Sequence, residues 1–131
     1  MAGAAGNASD AGIRSERSAK QLLYRGIVMT IGEKQEKFAL MIAELIQWAY
    51  SQGYKIRIGH VFRCADCKVG SEVSLHRIKL AADLNLFKDG KYLSSTDDHR
   101  VLGEKWESMG GSWGGRFNDG NHYSLEHEGR K

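Results

Sequence analysis

Apolar positions recur at helical spacing over one long stretch of the chain. Phe38, Met41, Ile42, Leu45, Ile46 and Ala49 fall at i, i+3, i+4, i+7, i+8 and i+11, the single stripe of a core-facing helix. Thr30-Ile31-Gly32-Glu33 stands just before it, a capping box in which hydroxyl and carboxylate each satisfy an otherwise open backbone N–H. Gly53 is placed to end the helix. The period then drops to two: residues 55–62 alternate polar and apolar through Ile58, which predicts a half-buried strand with Arg63 just past its end. A second extended run, Ala81 to Phe87, meets Lys91-Tyr92-Leu93 across Lys88-Asp89-Gly90, and Asp-Gly between apolar runs predicts a hairpin. Ser95 or Thr96 caps a second helix through Asp98, with Leu102, Trp106 and Met109 on its apolar face, that stops at Gly110-Gly111. A glycine-rich stretch from Gly110 to Gly120 leads into a last extended segment, His122 to Glu126. The expected architecture is α+β, a small and mostly antiparallel sheet flanked by helices.

Composition narrows this picture. A chain of 131 residues supports one hydrophobic core. Residues 1–28 are rich in Ala, Gly and Ser with little apolar periodicity, so they are expected to form a mobile N-terminal tail ahead of a folded domain over 29–131. No apolar run approaches the roughly 18 residues of a membrane span, and the N-terminus, with Asp10 and Glu16, lacks the apolar block of a secretory signal. Synthesis in the cytoplasm without a signal peptide is the expectation. Of the formal net charge of +3, the excess of Arg14, Arg17, Lys20 and Arg25 over Asp10 and Glu16 lies in the tail, so the folded part is close to neutral. Its bases alternate with acids, a pattern that argues against nucleic-acid binding. Cys64 and Cys67 cannot build a disulfide framework and are expected as thiols. Proline is absent, so turns rest on glycine, Asn and Asp.

Among the histidines, His60 and His99 read as structural or solvent-facing and His127 as a surface residue. His76 and His122 have different neighbours. His76 follows Ser74-Leu75 and stands seven residues before Asp83, and His122 follows Asp119 by three. A catalytic zinc takes three N or O protein ligands and keeps one position for water, which two histidines and one aspartate satisfy. A separate carboxylate is then needed to accept a proton. The spacing alone recurs by chance and leaves the site open. Trp106 reads as core, and the glycines around Trp113 leave both core packing and ligand stacking open. Asp97-Asp98 reads as helix capping rather than a calcium site.

The combination of Ser74-x-His76-x6-Asp83, the tryptophan- and glycine-rich stretch from Trp106 to Gly115, and Asp119-x-x-His122-Tyr123 resembles the zinc peptidase family of D-Ala-D-Ala carboxypeptidases and L-Ala-D-Glu endopeptidases, in particular its short phage endolysin-type members. The blocks SLHRIKLAADLNLFKDGKYL and LGEKWESMGGSWGGRFNDGNHYSLEH carry the likeness, which covers residues 29–131. The resemblance implies a Hedgehog/D-Ala-D-Ala-peptidase-like fold and a Zn2+ cofactor held by His76, Asp83 and His122. It makes Asp119 the general base, where other branches use glutamate, and Arg63 the cation facing the scissile carbonyl. Ser74 would bind substrate or order the ligand loop.

The implied activity is hydrolysis of peptidoglycan stem peptides, first as an L-Ala-D-Glu endopeptidase. D-Ala-D-Ala carboxypeptidase or dipeptidase action and a non-catalytic metal-binding or wall-binding module are the alternatives. Such a protein would act at the bacterial cell wall after release, as a monomer, with no stable membrane insertion. The chain departs from the family in the short connection over 64–73, which carries Cys64-Ala65-Asp66-Cys67. A second metal site using His60 or Asp66, a redox-sensitive pair that closes into a disulfide once outside the cytoplasm, and two ordinary thiols are its possible meanings. The thiols are favoured, because a four-cysteine zinc site would lack half its ligands.

Overall fold

The computed structural model describes residues 29–64 and 74–131. The chain falls into two units, Met1–Lys34 and Gln35–Lys131, and the core, the sheet and the site all belong to the second. The expected tail, residues 1–28, lies outside the described residues.

Helix α1 spans Ile31–Ser51. Its capping box is made: the Glu33 N–H donates to Thr30 Oγ1 at 3.1 Å and the Thr30 N–H to Glu33 Oε1 at 2.9 Å. Phe38, Met41, Leu45 and Ala49 are buried, and Ile42 packs against the core from the edge of the stripe. After Gly53 come strands β1 (Lys55–Ile58), β2 (Ala81–Lys88) and β3 (Lys91–Leu93), helix α2 (Arg100–Ser108), and strands β4 (Ser112–Trp113) and β5 (His122–Ser124). The cap of the second helix is Ser95, whose Oγ accepts the Asp98 N–H at 3.0 Å. Its first turn, Asp97–His99, winds as 3₁₀ before α2 begins, a common tightening at helix entries.

The sheet is antiparallel throughout, in the order β1-β2-β5-β4 with β3 also on β2. Strand β2 is its spine. One edge pairs with β1, and the other pairs first with β5 (Ala81 to Asp83) and then with β3 (Leu86 to Lys88). The β2–β3 link is the expected hairpin, with Asp89 and Gly90 at φ of 52° and 77°, as a mirror-image two-residue turn requires. Alternation along β2 sends Leu84 and Leu86 into the core and leaves Asp83, Asn85 and Phe87 half-buried on the opposite face.

Both tryptophans that packing had to place are in the core. Trp106 is fully buried, and its indole N–H donates to the carbonyl of Ser124 at 2.9 Å. Trp113 is 1% exposed with its N–H on the Gly120 carbonyl at 2.8 Å, so it has no face left for a ligand. The ring of Trp113 lies directly against Gly103 of α2, where an added Cβ would sit 2.1 Å from its Cδ2. Gly103→Ala must therefore displace the ring or the helix, and a loss of about 1–3 kcal/mol is expected from overpacking of this kind. Urea unfolding monitored by tryptophan fluorescence checks it; an unchanged midpoint would mean the interface yields freely.

Candidate metal centre

Asp83 owes its direction to the sheet. Its N–H donates to the His60 carbonyl and its C=O accepts the Gly59 N–H, both at 2.7 Å, so its backbone is committed to the β1 side. Opposite, on β5, it is paired with His122 without exchanging backbone bonds, the arrangement that brings cross-strand side chains closest. His122 Nδ1 stands 3.5 Å from Asp83 Oδ1.

His76 arrives from the 3₁₀ turn Leu75–Ile78, which Ser74 caps by accepting the His76 N–H at 3.1 Å. The His76 Nδ1 contacts the Val61 carbonyl at 3.4 Å. A carbonyl only accepts, so this contact places a ring proton on Nδ1 and would make Nε2 the atom offered to a bound metal. That Nε2 is 3.2 Å from Asp83 Oδ1. Both imidazoles are buried, at 3% and 7% exposure. Burial alone would raise the Asp83 pKa, but hydrogen bonds and charge interaction with His122 and His76 outweigh it and hold the carboxyl well below the usual carboxylate range.

His76, Asp83 and His122 form a group that could hold a metal ion, with one donor atom from each lying within 4.8 Å of the others. The donor set suits zinc. Tetrahedral ligands at about 2.0–2.1 Å from a zinc stand about 3.3–3.4 Å apart, and the measured separations of 3.2 and 3.5 Å fall on either side of that.

A cavity of about 370 Å³ opens over this group, and Arg63, Ser74, Phe117 and Asp119 share its lining with Arg130 and Lys131. All six residues that the sequence singled out therefore lie on one cavity. Arg63 is anchored by its N–H to the His76 carbonyl at 3.0 Å, while its guanidinium reaches Ser74 Oγ and His60 Nδ1, each at 3.3 Å. The Ser74 hydroxyl thus ties the His76 turn to the arginine.

Asp119 is exposed at the rim. It follows the 3₁₀ turn Gly114–Phe117, its N–H donates to the Gly114 carbonyl at 2.8 Å, and its own carbonyl accepts the His122 N–H at 3.1 Å. Gly114 permits this: an added Cβ would lie 2.3 Å from the Asp119 carbonyl oxygen and 2.7 Å from His122 Cβ.

Sequence reasoning missed four lining residues, Leu75, Phe117, Arg130 and Lys131. Phe117 stands over His122 with ring centroids 5.9 Å apart. Arg130 and Lys131 are delivered by a turn in which His127 and Arg130 exchange backbone hydrogen bonds at 2.9 Å, with Glu128 and Gly129 at φ of 51° and 79°. The dipeptide Glu128-Gly129 was the available signal, of the same kind as Asp89-Gly90.

His60 is exposed as expected, yet its Nδ1 comes within 3.9 Å of Asp83 Oδ2. His99 is structural, buried with Nδ1 2.8 Å from the Tyr123 hydroxyl, and burial pushes its pKa down. Asp98 Oδ2 accepts the Ser95 N–H at 3.3 Å, completing the capping pair at the entry of the second helix, and Asp97 forms an ion pair with Arg100 at 3.0 Å. One expectation is corrected: Cys64 is disulfide-bonded, not a free thiol. Oxidation, which packing rules do not anticipate, removes the thiolate that a second metal site would need there. Cys67 and Asp66 lie outside the described residues. No protein-family model and no curated protein matches the chain.

Proposed function

We propose that this protein is a zinc-dependent peptidase of the D-Ala-D-Ala carboxypeptidase and L-Ala-D-Glu endopeptidase type, with the Hedgehog-like fold of that family. In this reading it hydrolyses bacterial peptidoglycan stem peptides, foremost at the L-Ala-D-Glu bond, and acts as a monomer at the cell wall after release from the cytoplasm. The observation that carries the reading is the convergence of His76, Asp83 and His122 beneath a cavity that also presents Asp119 and Arg63. A zinc held by the three ligands would supply Lewis acidity and bring the pKa of water towards about 7.

The chain's own groups divide the remaining work. Asp119, exposed at the rim, accepts the proton of the attacking water and returns it to the leaving amine. Arg63, fixed through Ser74 and the His76 carbonyl, presents its guanidinium to the oxygen on which negative charge develops. Phe117 gives the substrate an apolar wall beside His122. A purely structural zinc site would close with a fourth protein ligand, whereas the group here has three among the described residues.

Mass spectrometry of purified peptidoglycan treated with the zinc-loaded protein tests the proposal. Fragments with a new glutamyl amino terminus are expected. Free D-Ala in their place would shift the assignment to the carboxypeptidase, and an undigested wall would leave only a binding module.

A further inference from the structure

A second cavity, of about 430 Å³, lies between the end of α1 and the β2–β3 turn. It shares no lining residue with the first, and Phe87 on its wall stands four residues along β2 from Asp83, roughly 14 Å at the rise of an extended strand. Its lining holds three cations, Lys55, Arg57 and Lys88, against one acid, Asp89. None of the three forms an ion pair among the described residues. Two of them are held instead by ring faces, which carry no net charge: the Arg57 guanidinium lies 4.2 Å from the Phe87 ring centre and the Lys88 ammonium 4.5 Å from that of Tyr54. Lys55 is the cross-strand partner of Phe87. The carbonyls at the end of α1 do not draw on these cations, since those of Trp48, Ala49 and Tyr50 already accept the N–H groups of Gln52, Tyr54 and Gly53. Tyr50 is fixed by its hydroxyl, which accepts the Ile56 N–H at 3.3 Å, and stays 49% exposed on the cavity wall.

We infer that this cavity is a second binding site, for a phosphate monoester carried on a sugar. Three cations against one acid leave a surplus of two positive charges, which matches the charge of about −1.5 to −2 on a phosphate monoester at pH 7. A carboxylate or a phosphodiester brings only one. The guanidinium offers the phosphate oxygens paired N–H donors, and the two ammonium groups add point charges. Arg57 and Lys88 already rest on rings, so less side-chain freedom is lost on binding. The open ring of Tyr50 gives the sugar carbons an apolar face, and the volume is that of a small-ligand pocket. Two sources share this chemistry: a free sugar phosphate, and a phosphate on the end sugar of a longer glycan. The site goes beyond the peptidase reading and does not depend on it.

The test is an NMR titration of the full chain, read amide by amide, with no metal added so that a bound zinc does not capture the phosphate. Glucose 6-phosphate is expected to shift the signals of Lys55, Arg57 and Lys88 rather than those around His76 and His122. It should bind about tenfold more tightly than glucose 6-sulfate, which has the same shape and one charge fewer, the scale of a charge-assisted hydrogen bond. Arg57→Gln/Lys88→Gln should abolish that preference with the circular dichroism unchanged, and Arg57→Lys/Lys88→Arg should keep it. Tyr50→Leu should bring the affinity for glucose 6-phosphate down to that for inorganic phosphate. A trisaccharide phosphorylated on its end sugar separates the two sources: binding as tight as glucose 6-phosphate assigns the site to a glycan end, and weaker binding to the free sugar phosphate. Equal binding of the phosphate and sulfate esters, a preference that survives the Gln variant, or tighter binding of single-stranded DNA overturns the inference. Because neither metal nor turnover enters the readout, a protein that binds glucose 6-phosphate here but leaves peptidoglycan undigested would remove the peptidase reading and leave this site standing.

Discussion

Asp83→Asn is expected to weaken zinc binding by roughly two to four orders of magnitude. The estimate takes the loss of one ligand in three as about a third of an apparent zinc binding free energy of about 10–16 kcal/mol. Asparagine keeps the size of the side chain but removes the negative charge that Asp83 presents, through Oδ1, 3.2 Å from His76 Nε2 and 3.5 Å from His122 Nδ1. The fold should persist, because the bonds joining Asp83 to β1 run through its backbone. Competition with a chromophoric chelator measures the affinity, and circular dichroism checks the fold. Wild-type affinity in the variant would mean that Asp83 is not a ligand.

Asp119→Ala should do the opposite, keeping the metal and losing turnover by about 10²–10⁴, the usual contribution of a positioned general base. Asp119 sits on the rim of the cavity, and its hydrogen bonds to Gly114 and His122 are made by the main chain, so a shortened side chain leaves His122 supported. Zinc analysis alongside kcat on stem-peptide fragments separates the two roles. A zinc-free Asp119→Ala protein would make Asp119 a fourth ligand and favour the non-catalytic module, and full turnover would move the base elsewhere. His60, 3.9 Å from Asp83 Oδ2, would then be the next residue to change.

The elements were legible wherever local chemistry decides them. The Thr30–Glu33 box, the stripe from Phe38 to Ala49 and the Asp89-Gly90 hairpin appear as the pattern predicts, because each depends on residues within a few positions of one another. The 3₁₀ turn before α2 and the short span of β1, which ends at Ile58, depend on what packs against them and were not readable. Trp113 shows the same limit. Its glycine-rich surroundings suited either a stacking platform or a core, and the contact with Gly103, ten residues away along the chain, puts it in the core.

For the site, residue types and order were enough to nominate Arg63, Ser74, His76, Asp83, Asp119 and His122, through the resemblance more than through spacing. Arg130 and Lys131 escaped because they carry no motif and enter the cavity only through a turn at Glu128-Gly129. The disulfide at Cys64 was one of the readings open to the sequence, as a redox-sensitive pair, but not the favoured one, because whether a thiol is oxidised depends on redox conditions as much as on the chain.

Period, caps and turn residues, then, settled that this chain makes helices around an antiparallel sheet, and its residue chemistry settled which side chains were able to bind a metal. Whether they meet was decided by the antiparallel register of β2 and β5, which sets Asp83 opposite His122, and by the Ser74-capped turn that brings His76 to the same oxygen. Convergence of groups separated by tens of residues is a property of strand register and packing, and both come from the summed burial of the whole core rather than from any local segment.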